Sequence, residues 1–275
     1  MARAIDSTTA VCGIILHPAG HTRSPAIHNA AFQELGIDAV YHAFDVQPDG
    51  LEAAVAGMRA LGLRQLAVSI PHKEAVMPLL DRLDDEARKI GAVNTITLHE
   101  GTLVGSNTDW IGAIQAIRRE IEPEGQDAAV LGAGGAARAV VHGLLRAGAR
   151  VTVLNRTRTK AESLARELGA QDSGTLDDLG DLTPSIIFNT TSVGLRSEQS
   201  PVVADSIPSN AVVLDAVYDP QKTRMLRDAA GRGARTVAGK WMLVYQAAEQ
   251  FRLWTNQEAP VETMARAFDG ATPDP

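Results

Sequence analysis

Residues 127–157 read DAAVLGAGGAARAVVHGLLRAGARVTVLNRT: a strand-like run, a glycine turn, a helical run and a second strand. That order is what a dinucleotide site requires. Gly132 permits the tight turn, and Gly134 lets the backbone come close to a pyrophosphate. The helix opening at Gly135 and Ala136 directs unpaired N–H groups at the negative charge. Ala137 completes the motif. The second strand ends in Asn155, Arg156 and Thr157, with Lys160 one turn further on. A carboxylate there would bind a ribose 2′-hydroxyl, whereas cations suit a 2′-phosphate, so the stretch points to NADP. Glycine turns also serve packing alone, and Arg156, Arg158 and Lys160 would also solubilise a loop. The complete strand–turn–helix–strand unit favours the cofactor.

Four polar clusters precede this unit: HTRSP at 21–25, SIPHK at 69–73, GAVNT at 91–95 and SNTDW at 106–110. Each lies at a strand end or a helix start, where a parallel sheet presents its ligand sites. In SIPHK, Pro71 fixes its own φ and restricts Ile70, so Lys73 leaves the strand from a stiff base. A lysine so mounted can polarise a carbonyl and deliver a proton. Plainer roles exist beside these. Ser24 reads as a helix N-cap and Asp109 as the cap of a helix starting near Trp110. Thr22 and Asn94 suit turns, and Gln246 suits an exposed helix face. His21, His28 and His72 lack carboxylate or cysteine partners at ligand spacing, so no metal site is expected.

The elements that must hold these residues alternate along the chain. VCGIIL, AVYHAFDV and LAVSI read as strands, and SPAIHNAAFQEL reads as a helix with Pro25 at its first position and Gly36 as its stop. Residues 50–61 are helical by period. NTITLHEGTLVGSN reads as a hairpin turning at Glu100-Gly101. Beyond the glycine turn, SIIFNTT and AVVLDAV are further strands, and helices follow from Trp241 to about Trp254 and near 260–268. Strands alternating with helices imply a parallel sheet covered on both faces. Two α/β domains are expected, with the boundary near 105–112.

Composition narrows the function. The net charge of −7 offers no basic block for phosphates along a duplex, so nucleic acid is not an expected partner. No apolar run approaches the roughly 20 residues of a membrane span. MARAIDSTTA lacks the apolar core of a signal peptide, and Cys12 is the lone cysteine, so a reducing cytoplasm is expected.

HTRSP, SIPHKE, GAVNT, NTDW, GAGGAAR, NRTRTKA and MLVYQAA, taken in order, resemble the landmarks of the shikimate dehydrogenase family from about Val11 to about Phe268. The resemblance implies NADP-dependent, reversible reduction of 3-dehydroshikimate to shikimate in chorismate and aromatic amino-acid biosynthesis. It implies an N-terminal α/β substrate domain over 1–107, completed by C-terminal helices in 242–275, and an NADP-binding Rossmann domain with a parallel sheet over 108–241. Lys73 and Asp109 match the family's catalytic pair. Thr22 and Ser24 match the hydroxyls that bind the substrate carboxylate, and Ser69, Asn94 and Gln246 match residues that bond the ring hydroxyls. Tyr218 and Gly239 match positions at the junction of substrate and nicotinamide.

The chain departs from the family at Ala67, where an asparagine is usual, and at Thr22 and Ser69, which exchange one hydroxyl residue for another. Trp110 and Trp241 stand where glycines are frequent, and an extra indole there is expected to alter packing around substrate or nicotinamide. These changes leave open a quinate/shikimate dehydrogenase or a paralogue acting on a related ring acid. A sensor that binds such acids without turnover is the reading of another class, and the presence of both Lys73 and Asp109 argues against it. A small-molecule substrate and a monomer or homodimer are expected.

Overall fold

The computed structural model describes residues 5–271. The chain divides into two compact units. One runs up to Thr108 and resumes at Gln246, and the other extends from Asp109 to Tyr245.

The first unit contains β1 (Ala10–Leu16), α1 (Ser24–Leu35), β2 (Ala39–Asp45), α2 (Leu51–Leu61), β3 (Gln65–Val68), β4 (Arg82–Leu83), α3 (Asp85–Ile90), β5 (Thr95–His99) and β6 (Thr102–Ser106). Its sheet has the order β2-β1-β3-β5-β6-β4. β1 pairs in parallel with β2 and β3, while β3–β5 and β5–β6 are antiparallel. The sheet is therefore mixed, because the hairpin reverses the chain. Glu100 and Gly101 have φ of 48° and 79°, the two positive values that a two-residue turn matched to strand twist demands.

The second unit contains α4 (Asp109–Ile117), β7 (Asp127–Leu131), α5 (Gly135–Arg146), β8 (Arg150–Leu154), α6 (Arg158–Leu168), β9 (Asp172–Gly174), β10 (Ile186–Asn189), β11 (Val212–Asp215), α7 (Arg224–Gly231) and β12 (Arg235–Ala238). α8 (Gly239–Thr255) begins in this unit and ends in the first, where α9 (Val261–Gly270) follows. The second sheet is wholly parallel in the order β12-β11-β10-β7-β8-β9. Strand order reverses between β7 and β10, and such a sheet opens a ligand crevice at the carboxyl ends of those two strands. Strands buried on both faces read as continuous apolar runs, as in Ile186–Phe188 and Val212–Leu214. No helix among the described residues is long and apolar enough to cross a membrane.

One expected cap is corrected. α1 starts at Ser24 itself, its N-cap is Arg23, and no side chain caps it. The Ser24 N–H is instead accepted by Thr22 Oγ1 at 3.3 Å, which draws Ser24 into the first helical turn. Asp109 likewise is the first residue of α4 rather than the residue before it.

His28 also has a role apart from ligands. It is fully buried, stacked on Tyr41 with ring centroids 4.1 Å apart, and neither ring nitrogen has a hydrogen-bond partner. Burial pushes its pKa from 6.5 down to about 3, opposed by the nearby Gln250 amide. Between those values the unfolded chain takes up a proton that the folded chain does not, so stability falls as pH drops through that window. The loss from this group reaches about 1.4 kcal/mol per pH unit. The stability difference between His28→Phe and the wild type, measured by urea unfolding from pH 7 to 4, should shift steadily in favour of the variant as pH falls. A pH-independent difference would contradict the assignment.

Candidate active site

Lys73 follows a turn fastened at nearly every residue. Ser69 N–H donates to Ile15 O (3.0 Å), His17 N–H to Ile70 O (3.0 Å), His72 N–H to Ser69 O (2.8 Å) and Val93 N–H to Lys73 O (2.8 Å). The His72 ring is buried and lies 2.7 Å through Nε2 from Val46 O, a carbonyl that can only accept, so Nε2 carries the proton. The turn is thus tied to the ends of β1 and β2 and to the segment before Asn94. Ser69 and Lys73 are half-buried on it. Ala67 lies in β3 below them, buried between β1 and β5.

Asn94 and Gln246 come together although 152 residues separate them, with Asn94 Nδ2 3.3 Å from Gln246 Oε1. Both are buried, so Gln246 is not on an exposed helix face. Thr108 N–H donates to Asn94 Oδ1 at 2.8 Å, and the next residue, Asp109, is buried at the start of α4. Thr22 and Ser24 form a hydroxyl pair 3.2 Å apart, with Thr22 half-buried and Ser24 buried. Arg23 points away from them and donates to Phe268 O at 3.0 Å, with its guanidinium 4.5 Å from the Phe268 ring centroid. Thr95 and Thr108 lie in the clusters GAVNT and SNTDW without a role assigned to them there, Gln65 and Gln250 lie outside those clusters, and all four polar side chains are buried. A glutamine one turn beyond Gln246 was the available signal for Gln250.

In the second unit the glycine turn stands at the strand-order reversal. Gly132 has φ of 119°, and a Cβ there would lie 2.5 Å from Thr190 Oγ1. That hydroxyl is held by its bond to Leu131 O at 2.7 Å, so it cannot move aside cheaply. Gly134 precedes α5 and faces open space, and Gly135 and Ala136 open the helix, an arrangement that fits a pyrophosphate. Asn155 turns its Nδ2 to Thr157 O (3.0 Å), shaping the bend into α6. Arg158 is committed to Asp178 at 2.8 Å, while Arg156 and Lys160 are exposed and form no ion pair among the described residues. Residues 155–160 carry cations and no carboxylate of their own, and the Asp178 carboxylate is taken up by Arg158, so this strand end fits a 2′-phosphate better than a free ribose hydroxyl.

Gly239 opens α8 where a Cβ would meet the backbone oxygens of Asp215 and Ala216 at 2.5 and 2.7 Å, so only glycine permits this approach. The segment it touches leads directly to half-buried Tyr218. Asp215 is buried and accepts from Asn189 Nδ2 (2.8 Å), Val217 N–H (3.0 Å) and Thr223 Oγ1 (2.6 Å), which joins the end of β10 to the loop after β11. The two unexpected indoles are both engaged within this unit. Trp241 packs on its core beneath the Arg119 guanidinium, 3.6 Å from the ring centroid, and Trp110 meets Arg146 and His142.

Three family models match: a shikimate dehydrogenase substrate binding domain over 14–96, shikimate/quinate 5-dehydrogenase over 116–201 and a shikimate 5′-dehydrogenase C-terminal domain over 239–267. A shikimate dehydrogenase (NADP(+)) of Thermococcus kodakarensis is 46% identical over 252 residues, covering 91% of this chain and 92% of that one. The chain belongs to the shikimate dehydrogenase family. A crystal structure of a shikimate dehydrogenase in complex with NADP+ superposes with a TM-score of 0.93 at 39% identity, covering 99% of each chain. The enzyme of Thermus thermophilus, solved with NADP(H) and shikimate, has a TM-score of 0.90 at 37% identity, covering 96% of this chain and all of that one.

The close approach at Gly132 has a measurable consequence. Gly132→Ala adds a methyl against Thr190 at a φ that L-residues rarely adopt, so KM for the dinucleotide should rise at least about tenfold and Tm should fall by several degrees. An unchanged KM and Tm would show that the turn relaxes freely.

Proposed function

We propose that this chain catalyses the NADP-dependent, reversible reduction of 3-dehydroshikimate to shikimate, a step toward chorismate and the aromatic amino acids. The observation that carries the reading is Lys73, whose carbonyl accepts from Val93 N–H, beside the Asn94 that pairs with Gln246. The bound nicotinamide supplies the hydride or accepts it. Lys73 polarises the ring carbonyl through its ammonium group and gives one proton to the resulting alkoxide, leaving the neutral amine; in the reverse direction that amine receives the hydroxyl proton. Asp109 is its proposed partner, a carboxylate at the residue where the chain leaves the substrate unit.

The Thr22 and Ser24 hydroxyls bind the ring carboxylate, and Ser69, Asn94 and Gln246 bond the ring hydroxyls. Such polar groups discriminate strongly, because an analogue without the matching hydroxyl leaves them unpaired. Tyr218 and Gly239 border the nicotinamide. Gly132, Gly134, Gly135 and Ala136 cradle the pyrophosphate, and Asn155, Arg156, Thr157 and Lys160 hold the 2′-phosphate. Cys12, the lone cysteine, is buried as a free thiol, which suits a reducing cytoplasm, where we place the enzyme as a monomer or homodimer.

Lys73→Ala should lower kcat at least about a hundredfold while KM for shikimate moves only a few-fold, since the interaction lost is one made in the transition state. Steady-state kinetics in the oxidative direction measure both constants. A kcat within a few-fold of the wild type would remove Lys73 from the proton transfer.

A further inference from the structure

Asn189 ends β10, is fully buried, and has an amide orientation that its partners determine. The Thr191 backbone N–H, 3.0 Å from Asn189 Oδ1, can only donate, so that atom of the carboxamide is the acceptor. Thr191 Oγ1 lies 2.8 Å from the same oxygen and gives it its hydroxyl proton. The lone pairs of that hydroxyl then receive the Val193 N–H at 3.2 Å. Asn189 Nδ2, on the other side, donates to Asp215 Oδ1 at 2.8 Å and more weakly to Val193 O at 3.4 Å. Asp215 also accepts from Val217 N–H at 3.0 Å and Thr223 Oγ1 at 2.6 Å, so three neutral donors meet on one buried carboxylate.

These bonds decide which side of Thr191 meets the glycine turn. Its hydroxyl is turned to Asn189, and its Cγ2 methyl lies 3.3 Å from where a Gly132 Cβ would stand. Thr190 comes closer still, at 2.5 Å, with its hydroxyl bonded to Leu131 O. Residues 190 and 191 thus form a wall against the glycine turn, and the Asn189 amide sets the rotamer of Thr191.

We propose that Asn189 is a positioning residue for the dinucleotide, its amide held between Asp215 and Thr191 so that residues 190 and 191 keep the glycine turn in the shape that receives a pyrophosphate. The proposal rests on the reading that residues 132–136 cradle that group. It deepens the reading by assigning the shape of the turn to a buried side chain on the neighbouring strand. What position 189 must supply is an acceptor on one side and a donor on the other. A carboxylate of the same shape would still accept from Thr191, but it would face Asp215 as a second buried negative charge. The two groups would then repel where they are now bonded, and the wall against Gly132 would move with the end of β10.

The test is the NADP+ affinity of the full chain by isothermal titration calorimetry, with KM for shikimate measured beside it at saturating NADP+. The variants are Asn189→Asp, Asp215→Asn and the two combined. Asn189→Asp should weaken NADP+ binding about tenfold and leave the shikimate KM within about twofold. Asp215→Asn alone should cost about threefold or less, because a carboxamide oxygen there still accepts from Asn189. Combined with Asn189→Asp it removes one charge and supplies a donor to the other, so the double variant should bind NADP+ at least about threefold more tightly than Asn189→Asp. Unchanged NADP+ affinity in Asn189→Asp overturns the assignment, as does a shikimate KM that rises as far, or losses that simply add in the double variant. If Asn189→Asp does not fold, Thr191→Val decides, since it keeps the shape and lacks the hydroxyl that Asn189 orients. NADP+ binding weakened about threefold or more with the shikimate KM unmoved supports the assignment, and unchanged affinity overturns it. A wild type that does not bind NADP+ overturns the cofactor reading together with this assignment. A wild type that binds it, with insensitive variants, overturns this assignment alone.

Discussion

A carboxamide taken out of water must have its hydrogens and lone pairs met inside the protein, and Asn94 meets that demand by joining distant parts of the chain. Its backbone N–H donates to Ser106 O at 3.1 Å, and its carbonyl accepts from Val68 N–H at 2.7 Å, tying β3 to the end of β6. Its side chain engages Thr108, the last residue before the chain leaves the unit, and Gln246, the first residue after it returns. A unit built from both ends of a chain needs such a joint. Burying the joint makes it exacting, because an unpaired amide there costs about 1–3 kcal/mol. The same demand sets the orientation of the groups proposed to receive the ring acid.

In the second unit the governing constraint is steric. Its parallel sheet reverses order between β7 and β10, and the glycine turn stands at that point with Thr190 against it. Gly239 repeats the logic at the start of α8, where backbone meets backbone. Asp215 secures the end of β10 and the loop beyond β11 through three hydrogen bonds, although burial pushes its pKa up to about 6. Exposed cations at the end of β8 then suit the cofactor's additional phosphate.

Much of this was legible in the sequence because the signals were local. The hairpin at Glu100-Gly101 and the strand–turn–helix unit at 127–157 depend on residues a few places apart. The Ser24 cap failed for a reason equally local but finer, since Thr22 competes for the Ser24 N–H and shifts the helix start by one residue. The short strands β4 and β9 carry no apolar run to reveal them, and they exist because a neighbouring strand offers pairing. Gln65, Thr95, Thr108 and Gln250 were illegible individually. A buried polar residue shows its role only through partners, and theirs lie up to 185 residues away. Trp110 and Trp241 departed from the family pattern, and the sequence did not show that Arg146 and Arg119 would cover them.

In the proposed function the buried amides and hydroxyls of the first unit select one ring acid, and the cations at the end of β8 select one dinucleotide. A spectrophotometric panel of shikimate and quinate, each with NADP+ and NAD+, tests both halves in one measurement of kcat/KM. The highest value is expected for shikimate with NADP+, with a clear loss when either member of the pair is exchanged. A higher kcat/KM with NAD+ would contradict the role given to Arg156 and Lys160, and a higher value with quinate would contradict the fit ascribed to Asn94 and Gln246.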